Sequence, residues 1–182
     1  MDLVLMGGSL RPASLNTRLL GHLAGELEAR GHRITAFAGP ALRFALFEEG
    51  LAPSPAVVAL QQALLAAQGV VIVSPEYNAG IPGHLKNAVD WLSTLKPSPW
   101  TGLPVLLAAA SPGAFGGARG LLAWRAALAN MGAVALPEAI TVPQADRHLD
   151  EAGKPVEARA EAAVGKAVEG FLSLAARLRP GA

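Results

Sequence analysis

Short apolar runs alternate along the chain with longer segments of helical period. Residues 3–6, "LVLM", form a buried-strand run that ends at Gly7-Gly8. A helix over about residues 14–30 follows, with Gly31 placed to end it, and residues 33–37 read as a second strand. Residues 57–68 have helical character, and "GVVIV" at 69–73 is an unbroken β-branched strand before Ser74-Pro75. Over residues 82–95, Leu85, Ala88, Val89, Leu92 and Leu95 form one apolar stripe of a helix. "PVLLAAA" at 104–110 is a fourth strand, 117–131 a helix stopped by Gly132, and 134–136 a short fifth strand. An Ala-rich helix over about 156–179 closes the chain. Residues 38–54 and 137–155 show no clear period and are expected as long connections that border a site or a subunit contact.

Strands that alternate with helices predict an α/β fold with a parallel sheet. Five such units suit an open doubly wound sheet, since a closed barrel needs eight and typically about 250 residues. In the order 2-1-3-4-5 the winding reverses beside the first strand, and ligands bind beyond the carboxyl ends there. The loops after strands one, three and four are therefore the places to look.

Composition narrows the chemistry. A chain of 182 residues with 52% hydrophobic and 16% charged content predicts one domain over residues 1–182, without a disordered block. The net charge of +1, with scattered basic residues, argues against a nucleic-acid surface. Cysteine is absent, which excludes disulfides, thiolate metal sites and a Cys nucleophile, so any redox chemistry must come from a bound cofactor. No basic segment precedes the first apolar run, and no apolar stretch approaches the roughly 18–20 residues that span a bilayer. The expectation is a soluble, cytoplasmic protein with no membrane and no nucleic-acid partner.

The first loop, "GGSLRPASLNT" at 7–17, turns off its strand on two glycines, and Ser14 can cap the next helix. The unpaired N–H groups of that helix favour an anion. Thr17 stands where a capping box would have Glu or Gln, so no carboxylate competes for those donors. Ser9, Ser14, Asn16 and Thr17 add neutral donors, and Arg11 adds a planar charged fork suited to phosphate oxygens. There is no Gly-Lys-Ser/Thr and no G-x-G-x-x-G, so a single terminal phosphate fits better than a nucleotide triphosphate or a dinucleotide.

The second loop, "SPEYNAGIPG" at 74–83, lies between a strand stopped by Pro75 and a helix started by Pro82 or Gly83. Its irregular backbone can hydrogen-bond the edge of a planar heterocycle, and Tyr77 offers a flat face. Glu76 is either a ligand contact or a carboxylate bound to nearby backbone N–H groups. Lys86 and Asp90 read as a solvated i,i+4 pair. His84 reads as a helix-start residue and, standing alone, as no metal ligand. The third loop, "SPGAFGGARG" at 111–120, has the glycines and small side chains that let backbone approach something flat. Ser93, His22 and Asp146 do not make a hydrolase triad without a G-x-S-x-G elbow, and His148 and Asp150 are expected to face solvent. Trp91 and Trp124 read as packing residues, while Trp100 suits packing or stacking.

The motifs "GSLRPASLN" at 8–16, "SPEYNAGIPGHLKNAVDWLS" at 74–93 and "SPGAFGGARG" at 111–120 resemble, in order and spacing, the NADPH-dependent FMN reductase family of quinone, chromate and azo reductases. The resemblance implies a flavodoxin-like three-layer sandwich with noncovalent FMN, and NADPH or NADH as co-substrate. It implies that Ser9, Arg11, Ser14, Leu15, Asn16 and Thr17 surround the phosphate. Pro75, Glu76, Tyr77 and Asn78 would border the flavin ring, with Ser111, Gly113, Gly116 and Gly117 closing the other side. No side chain is assigned as a catalytic acid or base, because the chemistry would run on FMN, and no metal is implied. The implied partners are a small-molecule electron acceptor and further copies of the chain, as a dimer or tetramer. His84 departs from the aliphatic residue more often found in the family, and the segment around 42–51 is more apolar than the family leads one to expect. A flavodoxin-like electron carrier is the main competing function, disfavoured by the near-neutral charge; a flavin-free partner-binding domain is the third.

Overall fold

The five apolar runs form one parallel sheet in the order β2-β1-β3-β4-β5. The strands are β1 (Asp2–Gly7), β2 (Arg33–Ala38), β3 (Gly69–Val73), β4 (Pro104–Ala110) and β5 (Val134–Val142). The computed structural model describes residues 1–11 and 13–179; Pro12, inside the first loop motif, and residues 180–182 lie outside the described residues. β1 pairs with β2 on one side and β3 on the other, so the winding reverses at β1 as expected.

Helices α1 (Leu15–Ala29) and α6 (Ala158–Leu178) pack on one face, and α2 (Pro55–Ala66), α3 (Gly83–Thr94) and α4 (Ala118–Asn130) on the other. β3 and β4 are buried at every residue, which explains why they are apolar without alternation. On the first face the Phe171 ring lies over Gly69, where a Cβ would come within 2.7 Å of it. Burying such a ring contributes about 1.5–3 kcal/mol. Trp100 and Trp124 are fully buried on the second face, and this resolves Trp100 as a packing residue.

Two sequence expectations are corrected. β5 continues to Val142, well past the expected end at 136. Pro137 has no N–H to give the ladder, but β5 is an edge strand, and a register shift between Val105 and Leu107 of β4 carries the ladder past it. Beyond β5, a short helix α5 (Ala145–His148) and an isolated bridge between Leu149 and Pro155 organise much of 137–155.

Residues 38–54 are also ordered, through side-chain contacts that leave no periodic signal. A 3-10 turn, Gly39–Leu42, sinks Leu42 into the core. On α3, Asn87 accepts the Phe47 N–H at 2.7 Å and donates to the Ala45 carbonyl at 3.0 Å. The Trp91 indole donates to the same carbonyl at 2.8 Å.

Candidate functional site

Each of the three loops leaves the sheet at its carboxyl edge, and their departures are tied together. The Gly8 N–H donates to Val73 O at 2.9 Å, and the Ser74 N–H to Ala108 O at 2.8 Å. Gly8 passes so close to the second loop that a Cβ would lie 2.3 Å from Leu85 and 3.0 Å from Pro75. Any side chain there would push the first loop away from the second.

The first loop closes on itself around the Arg11 carbonyl, which accepts from the Ser14 N–H at 3.2 Å and the Thr17 hydroxyl at 3.1 Å. Ser14 caps α1 by accepting the Thr17 N–H at 3.0 Å. Ser9 accepts the Arg11 N–H at 3.3 Å. The first turn of α1 carries no acidic residue, and among the described residues Arg11 has no carboxylate partner. An anion meets hydroxyls, a helix N-terminus and a guanidinium here, with no acidic residue in the helix's first turn. That donor set fits a phosphate monoester.

Asn16 is used differently from its neighbours. Its amide donates to Ala110 O at 2.8 Å and accepts the Ala110 N–H at 2.9 Å, and it is buried. Both ends of the side chain hold the last residue of β4 against the start of α1.

In the second loop Tyr77 and Gly80 form a two-bond turn, N–H to carbonyl at 3.2 and 2.9 Å. Asn78 and Ala79, between them, take φ of 51° and 60°, the left-handed pair of a tight hairpin turn. Tyr77 is pushed outward and is 50% exposed.

Glu76 turns toward α4, whose N-cap is Gly117 with no side chain to offer. Its carboxylate accepts the backbone N–H groups of Arg119 and Gly120 at 3.0 and 3.1 Å. The Arg119 side chain adds contacts at 2.8 Å from Nε and 2.6 Å from Nη2. Burial works to raise the Glu76 pKa, but the Gly120 N–H and the Arg119 guanidinium outweigh it and hold the carboxyl below its usual range. Of the two readings open for Glu76, the structure supports the organiser that draws loops two and three together.

In the third loop Ser111 accepts the Gly113 N–H at 3.1 Å. The segment after β5 braces this loop from outside, with the Gln144 and Ala145 N–H groups on the carbonyls of Gly113 and Ser111 at 3.2 and 3.0 Å.

A cavity of about 120 Å³ lies where the loops meet, lined by Ser9, Arg11, Ser14, Leu15, Asn16, Pro75, Glu76, Tyr77, Ala110, Ser111 and Pro112. Thr17, Asn78 and Gly113 are not in that lining but follow lining residues directly in the chain, whereas Gly116 and Gly117 are buried, Gly117 packed against Ala109. Three larger hollows, of about 330 Å³ against β5 and α6, 590 Å³ between α1 and α6 and 190 Å³ beside β1, β2 and α2, lack this convergence of loops. Chemistry rather than size selects the smaller one.

Arg119, Gly120, Ala110 and Pro112 were not singled out from the sequence. A helix beginning on a bare glycine was the available signal for Glu76 and Arg119, because its N–H groups need an outside acceptor. His84 starts α3, half-buried, with its Nε2 out of contact with water and without a hydrogen-bond partner. Burial pushes its pKa down, opposed by the Gly8 backbone and reinforced by Arg43. Lys86 and Asp90 form the expected surface pair at 2.6 Å. Among the described residues no metal-binding cluster and no helix long and apolar enough to cross a membrane is found.

The family model for NADPH-dependent FMN reductases matches residues 1–147. The chain belongs to the NADPH-dependent FMN reductase family. Membership implies FMN and NAD(P)H. A quinone reductase of Escherichia coli K12 is 55% identical over 73 residues, which cover 40% of this chain and 37% of that protein. An NAD(P)H-dependent FMN reductase of Pseudomonas aeruginosa is 31% identical over 127 residues, 69% of this chain and 68% of the other. Among solved structures, the flavoenzyme NAD(P)H:(acceptor) oxidoreductase from Paracoccus denitrificans superposes with a TM-score of 0.84 at 25% identity, over 97% of this chain and 98% of that one. A Pseudomonas aeruginosa flavodoxin, with a TM-score of 0.58 at 17% identity over 98% of this chain and 99% of that one, shares the fold.

Proposed function

We propose that the chain is an NAD(P)H-dependent oxidoreductase that holds FMN noncovalently and reduces a small acceptor. The acceptor is a quinone-like, azo or nitro compound, a metal oxyanion or free flavin. With a quinone, the net reaction takes NAD(P)H and one proton and gives NAD(P)⁺ and the hydroquinone. FMN supplies the ring that accepts and returns the hydride. The protein binds, orients and shields.

The observation that carries this reading is the convergence of three loops on one cavity at the point where the sheet reverses its winding. In this reading Ser9, Arg11, Ser14 and Thr17 hold the phosphate with the α1 N-terminus, and Leu15 packs beside it. Asn16 fixes the Ala110 wall. Pro75, Tyr77 and Asn78 border the ring, Glu76 keeps their loop in place, and Ser111, Gly113, Gly116 and Gly117 shape the far side. Residues 1–182 act as one FMN-binding unit, working in the cytoplasm as a homodimer or homotetramer.

The test is an absorbance spectrum of the protein with added FMN, followed by anaerobic mixing with NADPH and separately with NADH. Loss of the flavin absorbance with either donor is the expected result. A flavin that binds but is bleached by neither overturns the reductase reading in favour of an electron carrier.

A further inference from the structure

Phe115 is 64% exposed, whereas Trp91, Trp100, Trp124 and Phe171 are buried. It is placed in the middle of the third loop, between Pro112, which lines the cavity, and the start of α4. Its backbone is pinned: the Ala118 N–H donates to the Phe115 carbonyl at 3.0 Å, and the Gly116 N–H to the Gly113 carbonyl at 3.3 Å. The ring lies over the Arg119 guanidinium, 5.2 Å from Cζ to the ring centroid. Arg119 is in turn fixed by Glu76, and the next residue is Tyr77, the other exposed aromatic of these loops. Phe115, Arg119 and Glu76 thus form a chain of contacts that reaches the cavity at Glu76, which lines it together with its chain neighbour Tyr77.

We propose that Phe115 determines acceptor specificity: with Tyr77 it forms an aromatic lip that favours flat two-ring acceptors over compact, non-planar ones. The inference rests on the reductase reading above. A flat acceptor entering between the loops covers apolar ring surface on both sides, and offset ring contacts add to the area term. A compact anion gains neither. Arg119 is a positioning residue here, since its guanidinium is already committed to Glu76 and packs on the Phe115 ring.

The test compares the FMN-loaded wild type with Phe115→Ala and Phe115→Trp, using NADPH as donor and 1,4-naphthoquinone or ferricyanide as acceptor. The ratio of kcat/KM for naphthoquinone to that for ferricyanide should fall roughly tenfold in Phe115→Ala and recover in Phe115→Trp. Equilibrium binding of naphthoquinone to the oxidised holoprotein, read without turnover, should weaken by a similar factor. An unchanged ratio with unchanged binding overturns the lip. Should neither nicotinamide reduce the wild type, the reductase reading fails by itself, and the binding measurement still decides the role of Phe115.

Discussion

Glu76 and Arg119 stand 43 residues apart in sequence, yet the carboxylate of one receives both the backbone N–H and the guanidinium of the other. The pair fastens the loop after β3 to the first turn of α4. Because Gly117 cannot cap that helix, Glu76 supplies the cap from another element. Gly120 permits the approach: a Cβ there would lie 3.2 Å from both Glu76 Cβ and Gly80 O.

Glu76→Gln keeps the shape and loses the charge. Hydrogen bonds to a charged group contribute about 1.5–3 kcal/mol, so the variant should lose roughly 1–3 kcal/mol of unfolding free energy in urea titrations and bind FMN more weakly. The folded carboxyl titrates below 4.5, its ordinary value. Its contribution is therefore complete above the ordinary carboxylate range and is lost as pH falls through the lowered folded value. Wild type and Glu76→Gln should converge in stability on acidification; a gap that stays constant would refute this role.

Asn16 joins elements 94 residues apart, and its removal leaves a buried N–H and a buried carbonyl at Ala110. Unsatisfied buried groups cost about 1–3 kcal/mol each, so Asn16→Ala should destabilise by roughly 2–6 kcal/mol. Amide exchange at Ala110 should accelerate more than exchange in the middle of β4. A variant as stable as wild type would show that water replaces the amide fully.

The sequence made the frame and the three loops legible because their signals are local. The β-branched run at 69–73 and the stripe on α3 each state their own structure, and the strand order follows from alternation and winding. What was illegible depended on distant partners. The Asn16 amide meets Ala110, and the Glu76 carboxylate meets Arg119 and Gly120, across stretches of chain too long for any local pattern to announce. β5 runs on through Pro137 because an edge strand tolerates proline, and only the sheet order reveals that this strand lies on an edge.

Ala79 occupies a left-handed position, φ 60°, where an L side chain costs about 1–2 kcal/mol. Glycine removes that cost but adds freedom to the unfolded chain, worth about 0.4–1 kcal/mol in the other direction. Ala79→Gly should therefore raise stability by up to about 1 kcal/mol in denaturant titrations. The Asn-Gly pair it creates is also the preferred sequence for this turn. Destabilisation would show that the alanine methyl makes a packing contribution larger than the strain.

His84 should introduce a pH dependence near neutrality. Its folded pKa lies below the ordinary 6.5, so the unfolded chain binds more protons and stability falls as pH drops through 6.5 toward the folded value. His32 shifts in the same direction, which makes a difference measurement necessary. Between about pH 7.5 and 5.5, wild type should lose more stability than His84→Leu. Parallel pH profiles for the two proteins would show that His84 is protonated without cost.

Arg11 provides the sharpest test of the phosphate cradle. Its backbone is held by Ser9, Ser14 and Thr17, while its side chain has no carboxylate partner among the described residues, so replacing the side chain leaves the loop's own hydrogen bonds in place. A charge-assisted contact to phosphate contributes about 1.5–3 kcal/mol. Arg11→Ala should therefore weaken FMN binding roughly tenfold to a hundredfold, read by quenching of flavin fluorescence. Riboflavin, which lacks the phosphate, should bind wild type and variant alike, and the salt dependence of FMN binding should shrink in the variant. An equal loss for both flavins would mean that Arg11 supports the ring pocket rather than the phosphate; no loss for either would remove it from the site.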